Sequence, residues 1–354
     1  MSSSAQAGTA GAGTQRVAVL DAPGSIVLER RPVPAPGPGQ VAVRVAAVGI
    51  CGSDVHYFEH GRIGDYVVEG PLVLGHEASG TVTAAGEGVD ASLVGRRVAI
   101  EPQTTCGRCE QCRQGRYNLC PHVVFFATPP VDGAFTEEVV VDAVQVHPVP
   151  DALSDEEAAL VEPLAVAVHA CRKAPVRPGA RVLVSGAGPV GLLCLQVALA
   201  HGASEVVVTD VNAHRLSVAR ELGATGVVDV TGASAQEPAG PQEALFDVVL
   251  ECSGFPSATL WCLRRTAPAG TIVLIGMGAP VPLPVDQLQA REITLTGVFR
   301  YRHVYPTAIE LAASGKVRLA PLVTSHHGLD DVEGALRKGR TDPRSLKAVV
   351  HPGR

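Results

Sequence analysis

Apolar residues follow two regimes along the chain. Up to about residue 150 they alternate or gather in short β-branched runs. Val41, Val43 and Val45 alternate ahead of Gly49, and similar runs occupy Gly80–Thr83, Arg97–Ile100 and Glu138–Val141. Runs of this kind predict strands, so the first third reads as β-rich. The stretch RPVPAPGPG, residues 31–39, can only be loop or extended strand. The character changes near Ser154. SDEEAALVEPLAVAVHACRKA predicts helix, with Ser154 as cap and acids in the first turn. Pro163 predicts two helical pieces meeting there. Short apolar strands follow: RVLVSG, EVVVTD, GVVDV, DVVLEC, TIVLIG and ITLTGVF, with helical GLLCLQVALAHG and AHRLSVARELG among them. Such alternation predicts an α/β fold with a parallel, doubly wound sheet. Residues 231–243 are polar and receive no assignment. From Tyr305 two more helical patterns and a strand near Leu346–Val350 are expected.

A chain of 354 residues suits two domains. Its 29 Lys+Arg against 35 Asp+Glu give a net charge of −6, so no broad basic field invites nucleic acid or anionic lipid. The most apolar stretch, Val190–Ala200, is too short to span a membrane and contains Gln196. Residues 1–15, MSSSAQAGTAGAGTQ, lack the charged and apolar regions of a signal peptide and read as a disordered tail. A cytoplasmic protein is expected. In that setting, clustered members of the nine cysteines point to metal or chemistry rather than disulfides.

RVLVSG runs directly into Gly186-Ala187-Gly188-Pro189-Val190-Gly191, which opens a helix. This is G-x-G-x-x-G in strand–turn–helix context. The first glycine permits the tight turn, the second lets backbone approach a pyrophosphate, and the third lets helix and strand pack closely. The helix N-terminus offers N–H groups and positive dipole to phosphates. A second strand ends in Asp210, whose carboxylate can accept from ribose hydroxyls and would repel the extra phosphate of NADP, so NAD is expected. Arg215 either stacks near the adenine or is a solvated helix residue.

Cys106, Cys109, Cys112 and Cys120 form C-x2-C-x2-C-x7-C. Four thiolates so close in one loop suit a closed, structural tetrahedral zinc site. A second, dispersed set comprises Cys51 in GICGSD, His76 and Glu77 in GHEASG, and Glu162 in VEP. One thiolate, one imidazole and one or two carboxylates would leave a zinc position open, as catalysis requires. Spacing alone does not bring these residues together. Cys171, Cys194, Cys252 and Cys262 lie in apolar surroundings and read as small core residues.

GICGSDVHYFEHGRIGDYVVEGPLVLGHEASGTV, RRVAIEP, GRYNLC, FFATPP, LVEPLAVAVHAC, GAGPVG, VVVTD and GVFRY together resemble the zinc-containing medium-chain dehydrogenases. Within that group they resemble the sorbitol (L-iditol) and xylitol dehydrogenase branch. CGSDVHY, ATPP, VEPL and GVFRY carry the polyol assignment. The similarity runs from about Val17 nearly to the C-terminus. It implies that Cys51, His76 and Glu77 ligate a catalytic zinc, with Glu162 beside it as a ligand or through water. It implies substrate contacts from Tyr57, Arg300 and Tyr301, an apolar wall at Phe125, and a proton relay through Ser53 and His56. Ser53 could instead cap a helix starting near Asp54. Animal members have largely lost the lobe cysteines, whereas all four are present here, which moves the chain towards microbial polyol dehydrogenases.

The resemblance further implies a Rossmann cofactor domain over 164–301. A β-rich, GroES-like catalytic domain split in sequence, 16–163 and 302–354, would flank it. Two zinc ions per chain, NAD, a small polyol substrate and a homotetramer complete the expectation. Competing readings are a related zinc dehydrogenase acting on threonine, a sugar acid or a simple alcohol, and a non-catalytic NAD-binding protein.

Overall fold

The computed structural model describes residues 13–232 and 245–354. The internal contacts divide the chain into two units. One runs to Glu162 and resumes over Leu319–Arg354; the other is Pro163–Arg318. The second crossing therefore falls after the helix Tyr305–Ala313, where the expectation of 302 placed it before.

The first unit is built on strands that meet far from their neighbours in sequence. Among the described residues its largest sheet has seven strands. The order is Val146–Pro148, Arg97–Ile100, Glu77–Ala85, Gln40–Gly49, Lys347–His351 and Val323–Gly328, and Glu138–Asp142 also pairs with Gln40–Gly49. Val41, Val43 and Val45 are buried here with Val98, Ile100 and Phe135. Each large apolar side chain so buried contributes about 1.5–3 kcal/mol. The strand Lys347–His351 runs antiparallel to Gln40–Gly49, pairing Val349 with Gly49 and Val350 with Val48. This pairing splits the unit in sequence. Val323–Gly328 was not anticipated; as VTSHHG it has little apolar content, and its parallel pairing with Lys347–His351 supplies what its composition does not.

The disordered tail expected over 1–15 is too long by at least two residues. Thr14–Ala22 forms a strand paired with Ser25–Pro32. Gln15 is buried and accepts from the Glu138 N–H at 2.7 Å, and Arg16 pairs with Glu137 at 2.8 Å. Long-range partners thus order residues whose local composition favours none. Residues 1–12 and most of the unassigned stretch 231–243 lie outside the described residues.

The second unit is a parallel sheet, six strands among the described residues, in the order Gly226–Asp229, Glu205–Asp210, Arg181–Ser185, Phe246–Glu251, Thr266–Leu274 and Thr294–Gly297. The order reverses at Arg181–Ser185, the switch point at which open α/β sheets bind ligands. The helix Pro189–Ala200 is apolar on every side except at Gln196, which accepts from the Arg318 N–H, and is buried from Gly191 to Ala198, as a helix packed on both faces must be. Ser154 caps the helix Asp155–Ala159, its Oγ accepting from Glu157 at 3.2 Å. The break before the next helix, Val161–Lys173, falls at Leu160 rather than at Pro163. Pro163 sits in that helix's first turn, where its missing N–H removes no intrahelical bond. No helix among the described residues is long and apolar enough to cross a membrane.

Candidate active site

Two segments of the first unit, well separated in sequence, converge on one point. Cys51 precedes the helix Gly52–His60, and His76 and Glu77 lead into the strand Glu77–Ala85. One ligand atom from each of Cys51, His76 and Glu77 lies within 4.8 Å of the others. The dispersed set is therefore a real cluster, although Glu162 is not in that mutual set. Glu162 is itself buried, at 5 % exposure, and its charge acts on Lys347.

The surrounding residues fix each member. Asp54 is buried and accepts from the N–H groups of Cys51 at 2.9 Å and Gly75 at 3.0 Å. Its Oδ1 also lies 3.5 Å from His76 Nδ1. A carboxylate on one imidazole nitrogen orients the ring and leaves the other nitrogen for a ligand. Burial disfavours charge on both residues. Their mutual attraction, and the Cys51 sulfur beside His76, outweigh it: Asp54 is held below its ordinary pKa and His76 well above. Lys347, 4 % exposed, donates to Glu77 Oε1 at 2.7 Å and to the Ile50 carbonyl at 2.8 Å. Burial would lower its pKa, but Glu77, Cys51 and Glu162 raise it.

Glu77 Oε2 is buried and has no hydrogen-bond partner. Gly49 faces it, and a Cβ there would collide with this oxygen. A carboxylate oxygen is not left bare inside a protein without compensation. Together with the thiol and imidazole beside it, this orphan fits a divalent cation of borderline softness such as zinc.

Asp54 and Lys347 were not identified from sequence as parts of the site. Asp54 stands three residues after Cys51, and a carboxylate there could have been tested as an orienting group. A lone lysine in the apolar strand SLKAVVH was the signal for Lys347, because a buried lysine requires a partner. Of the residues assigned to substrate or proton movement, Tyr57 and Phe125 are buried in the first unit, and Phe125 packs on His76 with ring centroids 5.5 Å apart. Ser53 does not cap the helix; Cys51 occupies that position and Ser53 lies in the first turn. His56 is exposed, 5.8 Å from His60 between ring centroids. Arg300 and Tyr301 belong to the second unit. Arg300 has a positive φ of 52°, with its guanidinium over Phe299, and Tyr301 is fully buried edge-on to Tyr305.

The four lobe cysteines form a second cluster. Cys109 and Cys120 sulfurs are 3.9 Å apart, and Cys120 and Cys106 sulfurs 3.5 Å. Zn–S bonds of about 2.3 Å put tetrahedral sulfurs about 3.8 Å apart, so this spacing suits a closed S4 zinc site. The N–H groups of Cys109, Cys112 and His122 each donate to a cysteine sulfur at 3.4 Å. Donors from Arg108 and Cys109 bring the Cys106 thiol down to about 6.

In the second unit, a cavity of about 440 Å³ is lined by Gly186, Gly188, Asp210, Arg215 and Trp261 among others. Gly186 adopts a φ of +94°, and a Cβ on Gly191 would strike the Gly186 carbonyl. The helix begins at Pro189 with Gly188 as its cap, and Val190 follows in its first turn. Asp210 accepts from Ala187 at 2.7 Å and Asn212 at 2.8 Å, tying strand end to glycine turn. Arg215 Nε is buried without a partner. Cys171, Cys194 and Cys262 are buried as expected, but Cys252 is half-buried and lines this cavity.

Residues 37–151 match the family model for the alcohol dehydrogenase GroES-like domain, and residues 189–314 that for zinc-binding dehydrogenase. The chain is 42% identical over 344 residues to sorbitol dehydrogenase of Bacillus subtilis, covering 96% of this chain and 98% of that protein. It is 44% identical over 326 residues to sorbitol dehydrogenase of Gallus gallus, covering 91% and 92%. Among solved structures, a putative zinc-binding dehydrogenase from Sinorhizobium meliloti, bound to NADP, superposes with a TM-score of 0.88 at 30% identity, covering 96% of this chain and 100% of that one.

Proposed function

We propose that this chain, which belongs to the sorbitol dehydrogenase branch of the zinc-binding alcohol dehydrogenases, oxidises a secondary alcohol of a small polyol to the ketose with NAD as hydride acceptor. The observation that carries the reading is the convergence of Cys51, His76 and Glu77 around a buried, unpaired Glu77 oxygen. These three residues would hold a catalytic zinc, and Cys106, Cys109, Cys112 and Cys120 a structural one, two ions per chain. Zinc in the first position supplies a Lewis acid that makes an alcohol more acidic near neutral pH.

The chain's own groups do the rest. Asp54 keeps the His76 ring in one orientation, and Lys347 neutralises one oxygen of Glu77 while leaving the other free. Glu162, buried and outside the immediate ligand set, accepts the substrate proton, with Ser53 and His56 as an alternative route outward. Phe125 excludes water beside His76. The polyol-branch motifs imply substrate contacts from Tyr57 in the first unit and from Arg300 and Tyr301 in the second. Gly186, Gly188, Pro189, Val190 and Gly191 seat the pyrophosphate, and Asp210 takes the ribose hydroxyls. Arg215 lines the same cavity and could meet a ribose phosphate, so NADP is the second reading of the cofactor. We also propose a cytoplasmic homotetramer.

The test is reduction of NAD and, separately, NADP by zinc-loaded protein offered sorbitol, xylitol, ribitol, arabinitols, threonine and ethanol. Preferential turnover of a polyol with NAD is expected. Turnover of threonine or ethanol alone would overturn the substrate class, and preference for NADP the role given to Asp210. Light scattering behind size exclusion tests the tetramer.

A further inference from the structure

Away from both cysteine clusters, the first unit holds a third convergence of metal-ligating groups: Glu156, His326 and His351. We propose that these three side chains form a third divalent-metal site, of the two-histidine, one-carboxylate type, taking zinc or a similar borderline transition ion.

Each ligand sits on a fixed element. His326 and His351 belong to the parallel neighbours Val323–Gly328 and Lys347–His351. His326 pairs with Val349, so His351, two residues further on, projects from the same face. Their rings stack at 26°, with centroids 5.9 Å apart. Glu156 comes from the helix Asp155–Ala159. That helix is tied to the sheet by Arg97, which donates to Asp155 at 2.9 Å and to the Leu153 carbonyl at 2.6 Å.

The hydrogen-bond geometry points to a cation. Glu156 Oε1 lies 2.7 Å from His326 Nδ1 and 2.8 Å from His351 Nε2. His351 Nδ1 lies 3.1 Å from the Ala46 carbonyl oxygen, which can only accept, so its proton resides there. A neutral His351 then presents a bare lone pair at Nε2 to a carboxylate oxygen, two acceptors face to face. Something positive must lie between them, either a second proton on the ring or a metal ion. An imidazole whose far N–H is held by a backbone carbonyl is the usual arrangement of a metal-ligating histidine. His351 has that arrangement, and two imidazole nitrogens with one carboxylate oxygen match the ligand preference of zinc. Bonds of about 2.0–2.1 Å require ligand atoms about 3.3 Å apart, so the carboxylate need withdraw only slightly. His351 is nearly buried, whereas the His326 side chain is 51% exposed and leaves the open side to water. Nothing in the dehydrogenase chemistry uses these residues.

The experiment counts bound zinc in the full-length protein after equilibration with micromolar Zn2+ and removal of free ion. His326→Ala, a change at an exposed ring, and Glu156→Gln should each bind one equivalent fewer than the unaltered chain. In the long-range proton–nitrogen spectrum, Zn2+ should move His326 Nδ1 and His351 Nε2 together. Equal zinc counts in all three proteins, or ring signals that respond to pH but not to Zn2+, would overturn the site and leave a proton-shared cluster. Because the readout is a difference between variants, it is independent of how many ions the cysteine sites hold. Unchanged polyol turnover in His326→Ala would separate this outcome from failure of the proposed reaction.

Discussion

The four-cysteine lobe and the Cys51–His76–Glu77 centre use overlapping ligand chemistry on opposite plans. The lobe draws every ligand from residues 106–120, and backbone N–H groups within the loop satisfy its sulfurs. Its donor set is complete, so it can only stabilise. The other centre draws its ligands from separated segments. It sets carboxylates against a buried lysine and retains one carboxylate oxygen without a partner. The difference shows how one chain separates holding from reacting. A site closed by local thiolates contributes folding energy, while a site assembled across the fold can leave one group unsatisfied.

The largest expected contrast is between Cys51→Ser and Cys112→Ser. The first should abolish polyol turnover while dinucleotide affinity, read by fluorescence titration, stays near that of the unaltered protein. The second should lower thermal stability markedly while the molecules that remain folded turn over at close to the normal rate. The comparison fails if both variants lose activity and stability to the same degree.

Lys347→Met strands the charge of Glu77 inside the protein. Breaking a buried pair from one side costs about 3–5 kcal/mol, so denaturant unfolding should show a loss of that size. A double change with Glu77→Gln should recover part of the stability but not the activity. Asp54→Asn keeps the shape and removes the charge that orients His76. A fall of about 10–100-fold in metal affinity or turnover is expected, against a small change in melting temperature.

The effect that is smallest at neutral pH, and emerges only on acidification, is a pH dependence in the second unit. Burial, then the charges of Arg302, Lys173 and Arg172, depress His169 to about 4. A group held below its ordinary value of about 6.5 favours the folded state above that pH, and the contribution disappears as pH falls towards 4. His169→Gln should therefore flatten the stability profile between those limits by up to about 3 kcal/mol while leaving it unchanged above pH 7. A profile identical to that of the unaltered protein would remove the depressed histidine from the account.

The second unit was the more legible in sequence. Parallel strands buried on both faces are continuous apolar runs such as RVLVSG and DVVLEC, and each appears where expected. Its glycine turn and Asp210 are local signals. The first unit hides more, because its order arises from pairing across long separations. Thr14–Ala22 contains Gln15, Arg16 and Asp21, which conceal a strand until Glu137 and Glu138 are opposite. At the active site, the ligands could be read only from their company in GICGSD and GHEASG, since nothing in the spacing joins residue 51 to residue 76. Lys347 was invisible for the same reason: its partner is 270 positions away.

That distance has a consequence in time. During synthesis the chain emerges from its N-terminus, and contiguous units fold as they appear. Pro163–Arg318 can close on itself before Leu319–Arg354 is made. Cys51, His76 and Glu77 cannot, because the strand that backs Gln40–Gly49 and carries the cation opposite Glu77 is translated after the whole intervening unit. The nascent protein thus acquires its dinucleotide fold first. Its reactive centre forms only with the last strand, so an interrupted product that still folds its second unit carries no assembled catalytic site.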